Sequence, residues 1–583
     1  MVVIFAWAFA SPAQAQLMIQ KTITVDQSIP DRGQYVSTFT WSDHAGLATI
    51  SDVNVGLSLS SASGTTMRLG QMYATLTFGT ASEASRVAVL LNREGVSNSN
   101  AFGSSLQALN VTLDDSAATN IYNLTTETGT YAADGRLRVD PYGTRVAYNA
   151  NQITAGLAAL NGDWLESSVW SLLVADVQAG NAAKLNSWSL QVQGSAPASG
   201  SFTPGANSTV SGTGSIQSTL STEAGGAVTV SVGHGQSLAL EGGLTGPGSM
   251  VVSGAGTTVL SGNSGGFTGT VSVAGTGTME IASSTALGSG TLVQSNGNST
   301  VAFSAGGTIQ NAMSVYNVAF RSNGTTLAGA TTVNNATFDV VEGNTNTVSG
   351  KITGSGGVTK TGLGALILSG SEANDFTGAS AVNGGTLILQ KSEAHRAAIS
   401  GGTIALNGGT LLLGQANQIS DATAVTLAGG TLDTGGFADR VGQLTVSQNS
   451  AIGGLVTSSG GGVATSNDFL FSGVDLSSYA TSSGATLNLG SGYSYGATIN
   501  FANSNFTSWS GYSTTSLNNF GDKVMFGTTG MKASISFNDS TGLTYVTAIP
   551  EPGVYVAVGI LMMLVGLTEG RRRMALRERA KGS

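Results

Sequence analysis

Side chains that could carry chemistry are sparse in this chain. Histidine occurs three times, at His44, His234 and His395, each in a different context, so no His-rich metal motif can be assembled locally. Cysteine is absent, which removes disulfides, thiolate ligands and cysteine nucleophiles together. Gly262-Asn263-Ser264-Gly265-Gly266 and Gly492-Tyr493-Ser494-Tyr495-Gly496 satisfy the Gly-x-Ser-x-Gly pattern, but a nucleophile elbow needs a strand, a sharp turn, a helix and His and acid partners. In a chain with 83 glycines such matches are expected by chance. No EF-hand loop or Gly-Gly-x-Gly-x-Asp repeat is present, so calcium has only scattered carboxylates such as Asp114, Asp115, Asp163 and Asp176. The one dense charged neighbourhood is Lys351, Lys360, Glu372, Asp375, Lys391, Glu393, His395 and Arg396, which reads as a solvated loop, with a binding groove as the alternative. These residues predict no catalytic, cofactor-binding or metal site and a protein that is not an enzyme. The competing expectation is a polysaccharide lyase or hydrolase, which demands acids or a basic proton acceptor on neighbouring structural repeats. Between Ser201 and Gly350 the only Lys or Arg is Arg321.

Composition points the same way. Charged residues make up 9% of the 583, against roughly 25% in ordinary globular proteins. A formal charge of -9 leaves no basic surface for nucleic-acid phosphates. With 41% hydrophobic residues the chain buries enough apolar surface to order itself, unlike disordered segments of low hydrophobicity and high charge.

The elements that would position anything lie between two address-like ends. Val2 to Ala10 form an apolar run, and Ala13 and Ala15 supply the small-x-small pattern that signal peptidase accepts, placing the mature start at Gln16. No Lys or Arg precedes the run, which points to a start upstream of Met1. At the other end, Pro550-Glu551-Pro552 precedes an uncharged apolar stretch, Val554 to Leu567, and then Arg571-Arg572-Arg573, with Arg577, Arg579 and Lys581 behind. The apolar stretch of 14 residues spans about 21 Å as a helix, short of the roughly 30 Å hydrocarbon core, so a marginal transmembrane helix is expected. The arginines would hold the tail on the cytoplasmic side. This end resembles a PEP-CTERM sorting signal. The resemblance implies an exosortase-like partner that cuts near the motif, after transient inner-membrane anchoring, and delivers the protein to the cell surface or the extracellular matrix. Removing the tail after Glu551, with six of 23 basic and two of 32 acidic residues, leaves 17 minus 30, or -13. Such a product stays soluble by self-repulsion and meets divalent cations or neutral polysaccharide more readily than anionic surfaces.

From Gln16 to Gly194 the pattern has period two. Val53, Val55, Leu57 and Leu59 alternate with Asp52, Asn54, Gly56 and Ser58; Leu109, Val111 and Leu113 form a second run, and Trp188, Leu190 and Val192 a third. These predict strands with one buried face in an antiparallel sandwich. Ile50-Ser51-Asp52-Val53-Asn54-Val55, Trp170-Ser171-Leu172-Leu173-Val174-Ala175-Asp176 and Leu185-Asn186-Ser187-Trp188-Ser189-Leu190 resemble the P-domain jelly roll of proprotein convertases, and Asp134-Gly135-Arg136-Leu137 follows it loosely. The resemblance implies an accessory module without its protease.

A Ser, Gly, Ala and Pro-rich stretch at 195–211 reads as a linker. Beyond it the sequence repeats itself. Leu244-Thr245-Gly246-Pro247-Gly248, Val259-Leu260-Ser261-Gly262 and Phe267-Thr268-Gly269 recur as Ile352-Thr353-Gly354-Ser355-Gly356, Ile367-Leu368-Ser369-Gly370 and Phe376-Thr377-Gly378. Glycine pairs followed by Thr-Leu or Thr-Ile, beginning at Gly384, Gly401, Gly408 and Gly429, predict a turn and then a short strand. This stretch resembles the autotransporter-associated β-strand repeat, which implies a right-handed parallel β-helix. At about 20 to 25 residues per coil, residues 212–465 would make roughly ten to twelve coils. Charge is avoided because identical charges on successive coils would sit about 5 Å apart. The aromatic-rich segment 466–548 is expected to cap the open end.

The whole reads as all-β: a signal peptide at 1–15, a jelly-roll sandwich at 16–194, a linker at 195–211, a parallel β-helix at 212–465, a β cap at 466–548 and the sorting signal with its transmembrane helix at 549–583. No outer-membrane barrel is expected after the repeats. The expected function is that of an exported, non-enzymatic surface or biofilm-matrix protein, structural or adhesive, with extracellular polysaccharide as a candidate partner and no nucleic acid.

Overall fold

The computed structural model describes residues 16–453, apart from 41–46, 81–84, 137–152, 165–168, 393–396 and the single positions 65, 98, 101, 447 and 449, and beyond them the strands 469–475, 487–488, 498–502, 524–525, 531–538 and 543–550. The chain divides into two compact units, residues 1–305 and 306–583. Helix among the described residues is limited to three short 3₁₀ turns, Leu69–Gln71, Ile121–Asn123 and Leu157–Leu160.

The first unit begins with β1 (Gln16–Ile29), β2 (Gln34–Thr40), β3 (Thr49–Ser61), β4 (Met67–Arg68), β5 (Met72–Gly79), β6 (Arg86–Asn92), β7 (Ser105–Leu106) and β8 (Ala108–Leu113). It continues with β9 (Thr128–Tyr131), β10 (Gly162–Asp163), β11 (Val169–Asp176), β12 (Ala183–Ser195), β13 (Ser201–Phe202) and β14 (Thr209–Ile216). One sheet runs β9-β8-β3-β12-β1, antiparallel except at β8–β9. The other runs β2-β11-β5-β6, antiparallel throughout. The period-two pattern holds as expected. Val53, Val55, Leu57 and Leu59 are buried, as are Leu109, Val111, Leu113, Trp188, Leu190 and Val192. The sheets are tied through their shared core, where the Trp188 Nε1–H donates to Ser37 Oγ at 2.9 Å, and Phe78 stacks on Trp170 with centroids 4.3 Å apart.

The stretch 195–211 carries β13 and the start of β14. β14 pairs in antiparallel fashion with the free edge of β1, from Gln16↔Thr213 to Gln20↔Thr209, and in parallel with the next coil. The Lys21 ammonium reinforces the join by donating to the Ala206 carbonyl. β1 thus covers the edge that the first coil would otherwise expose, which protects it from pairing with another chain. From β14 onward the unit is a parallel β-solenoid. Val251, Ser272 and Val293 stand in one file, and Ser237, Thr257, Thr278 and Thr300 in another. Each rung points alternate side chains inward, such as Val271, Val273, Met279 and Ile281, all buried.

The second unit is also built of parallel coils. Ala365, Thr386, Thr410 and Thr431 form one file, and Ala381, Ala405 and Thr426 another. Parallel pairing extends past residue 465, from Asp439↔Phe469 to Asn488↔Met525. It gives way to antiparallel pairing among Thr498–Ala502, Leu543–Pro550 and Met531–Asn538.

Candidate ligand-binding face of the sandwich

The register of the first sheet determines which side chains meet on its outer surface. Thr22, Ser189, Gly56, Thr112 and Thr130 fall in one cross-strand row, and Thr24, Ser187, Ser58, Asn110 and Thr128 in the next. Hydroxyls and one amide from five different strands therefore share a surface that no single strand reveals. At the centre Gly56 carries no side chain, and the Ser189 hydroxyl lies across it, 2.2 Å from where a Cβ would stand. The result is a concave groove of about 410 Å³, within the size range of small-ligand sites. No lining residue is charged. Trp188 contributes to the floor, but its indole is turned to the core, so bound ligand would meet hydrogen-bonding groups rather than an aromatic platform. Beyond the groove stand Asp52, Asp114 and Asp115. Burial pushes the Asp52 carboxyl above its usual range, and the neighbouring Asp114 adds to the shift.

The residues singled out for chemistry do not gather. Among the calcium candidates, Asp114 Oδ1 accepts from the Ser116 N–H at 2.7 Å and Asp115 Oδ2 from the Ala158 N–H at 2.8 Å, while Asp163 lies on exposed β10. No three His, Asp or Glu side chains among the described residues are placed to hold a metal. His234 sits in an exposed turn; His44 and His395 lie outside the described residues. Ser264 is fully buried, and its Oγ accepts from the Leu244 N–H of the preceding coil at 2.8 Å. It serves as a corner cap, with no access for a substrate. Replacing Ser264 with alanine is expected to cost ~1–3 kcal/mol by orphaning that N–H, measurable as a lowered urea midpoint. Ser494 lies outside the described residues.

The charged neighbourhood in the second unit is split between inside and outside, which corrects its reading as one solvated loop. Lys351 and Asp375 form an exposed pair at 2.6 Å, whereas Lys360 and Lys391 are fully buried. The Lys360 ammonium donates to the Thr361, Gly362 and Gly384 carbonyls. Burial pushes both amines down, each to about 8. Glu393, His395 and Arg396 lie outside the described residues.

Sequence reasoning also missed buried polar groups. Asp134 and Arg136 form a buried ion pair, with Nε donating to Oδ1 at 2.8 Å. Beside them the fully buried Glu94 carboxyl is held well above its usual range by desolvation and the adjacent Asp134 charge. Asp439 accepts N–H bonds from Gln418 and Ile419 at 2.8 and 2.9 Å. No local pattern signals them, because their burial depends on segments distant in sequence, such as Asn92 against Arg136 and Gln418 against Asp439.

Of the predicted processing residues, Pro550 closes the strand Leu543–Pro550. Ala13, Ala15, Glu551, Pro552, Arg571, Arg572 and Arg573 lie outside the described residues, as does the expected transmembrane stretch. Among the described residues no helix is long and apolar enough to cross a membrane.

Two segments, 250–281 and 358–389, match the model of the passenger-associated-transport-repeat family. They fall on the coils of the first and second units respectively, and contain the recurring Leu-Ser-Gly and Phe-Thr-Gly words. No curated protein and no solved structure matches the chain.

Proposed function

We propose that this chain is an exported, cell-surface β-solenoid protein whose N-terminal sandwich attaches it to neutral extracellular polysaccharide. The observation that carries this reading is the groove across β1, β12, β3, β8 and β9. Its uncharged rows of Thr, Ser and Asn offer donors and acceptors at strand spacing, the complement of a hydroxyl-rich polymer. The nearby Asp52, Asp114 and Asp115 disfavour acidic glycans. Without aromatic stacking each contact rests on hydrogen bonds worth ~0.5–1.5 kcal/mol, so binding is weak per site and is useful through many copies. The match to a passenger-associated transport repeat supports export, and the P-domain resemblance supports an accessory, ligand-carrying module. The solenoid is the structural part, its rigidity drawn from backbone ladders in a chain without cysteine.

The test is affinity electrophoresis of the purified protein through gels containing a neutral glucan or, separately, alginate. Retardation is expected in the neutral gel alone. Gly56→Val fills the groove against a rotatable Ser189 hydroxyl and is expected to abolish retardation with little change in melting temperature. Retardation that is equal for both proteins, or absent for both, refutes the assignment.

For sorting, the Pro550-Glu551-Pro552 element and the arginines behind it support exosortase-type processing. Glu551→Ala is expected to yield a larger, membrane-retained form in the native host. Unchanged size and release in fractionated cells would count against that route.

A further inference from the structure

Away from the groove, at one end of the second sheet, three segments converge: the β1–β2 turn, the 3₁₀ turn at Leu69–Gln71 and the loop after β11. Asp31, exposed in the first of these, accepts the Gly180 N–H on both carboxylate oxygens, at 3.1 and 3.2 Å. Asp176, the last residue of β11, is fully buried. Its backbone N–H donates to the Gly33 carbonyl at 2.9 Å, which locks it to the turn that carries Asp31. Its Oδ1 accepts the Gln178 N–H at 3.2 Å, while Oδ2 has no donor, and the two carboxyls lie within hydrogen-bonding reach of each other. The third group is Gln71, 1% exposed. Its amide Nε2 donates to the Ala179 carbonyl at 3.1 Å, against the same Ala179–Gly180 peptide that holds Asp31, and its Oε1 has no donor. Among the described residues no Lys or Arg forms an ion pair with either carboxylate.

Buried polar atoms in native proteins find partners in the great majority of cases, and each exception asks for one. Here the unpartnered atoms, Asp176 Oδ2 and Gln71 Oε1, are both oxygen acceptors, and the exposed Asp31 carboxylate lies within reach of Asp176. Hard divalent cations take such a set, and calcium tolerates its irregular mixture of carboxylate, amide, carbonyl and water oxygens better than magnesium, which demands near-octahedral geometry. We propose that Asp31, Asp176 and Gln71 form a calcium site that ties the β1–β2 turn to the loop after β11. With two carboxylates the site is weak, in the ~10⁻⁴–10⁻³ M range of extracellular calcium modules. This inference does not depend on the polysaccharide reading.

The experiment uses the full chain, stripped with EDTA and dialysed. Addition of calcium chloride at about ten times the expected dissociation constant should raise the sandwich melting transition by ~2–4 °C, with magnesium doing less. Terbium alone should show luminescence sensitised by the sandwich aromatics, and calcium should quench it competitively. Asp31→Asn, at an exposed position where folding is not at stake, should remove both responses, and Asp176→Asn should do the same. Wild-type protein with neither response overturns the proposal. So does a calcium response that survives both substitutions, which would place the ion elsewhere. Because Gly56→Val leaves these residues intact, a lost glycan response with a retained calcium response separates failure of one reading from failure of the other.

Discussion

Replacing Gly269 with alanine is expected to lower the unfolding free energy by ~3–5 kcal/mol, an effect far larger than one methyl group usually exerts. A Cβ at this position would lie 1.7 Å from the Gly248 carbonyl oxygen and 2.7 Å from its carbon. These are backbone atoms of the preceding coil, so relief requires the coils to part and their ladder hydrogen bonds to stretch. Gly269 does not have positive φ, and the penalty is therefore one of stacking. The informative control is Gly225→Ala, where φ is +74° and nothing lies within 4 Å of the added carbon. That change costs only the left-handed conformation, ~1–2 kcal/mol. Urea unfolding of the two variants separates the causes. Equal losses would mean that turn conformation, rather than contact between coils, governs the glycine content.

This distinction marks what could be read from sequence. The alternation at Val53 to Leu59 and the recurrence of Phe267-Thr268-Gly269 as Phe376-Thr377-Gly378 encode strands and coils locally, because side-chain period and turn chemistry are properties of neighbouring residues. The all-β solenoid was legible for that reason. Glycine looked like a turn-former, but at Gly269 it is a spacer, and the distinction depends on a residue one coil away. The capping of the first coil by β1 was illegible: nothing in Gln16–Gln20 announces pairing with Thr209–Thr213, almost two hundred positions later. The polar groove was equally hidden. Thr22, Ser58, Asn110 and Ser189 are unremarkable strand-surface residues until register brings them together.

Lysine in the coils shows the same limit from another side. In the two family-matched segments Lys360 occupies the place of Val252, and both are interior. Charge alone assigns Lys360 to the surface. The structure instead folds the amine back onto carbonyls of its own and the next turn, which supply the partners that make burial tolerable.

Those buried groups predict a minimum in the stability of the second unit between about pH 7 and 8. Asp439 is 3% exposed. Desolvation outweighs its backbone hydrogen bonds and, with Asp421 nearby, pushes the carboxyl up to about 7 from 3.8. Between those values the folded chain holds a proton that the unfolded chain has released, so stability is greatest at the acid end and falls as pH rises, by ~4 kcal/mol in all. Lys360 and Lys391 act on the other side. With pKa values lowered to about 8 from 10.5, they bind fewer protons in the folded state than in the unfolded, and stability rises again from about pH 8 to 10.5. Glu94 in the sandwich shares the sign of Asp439, so Asp439→Asn should remove only part of the acid limb, the part seen in the transition of the second unit. Lys391→Met should flatten the alkaline limb by a comparable logic, because methionine fills the same interior space without a titrating group. Urea midpoints collected every half pH unit would show both limbs. A second-unit transition that stays level from pH 4 to 7, or an Asp439→Asn variant with an undiminished slope, would mean that the backbone donors from Gln418, Ile419 and Arg440 hold this carboxylate ionised despite its burial.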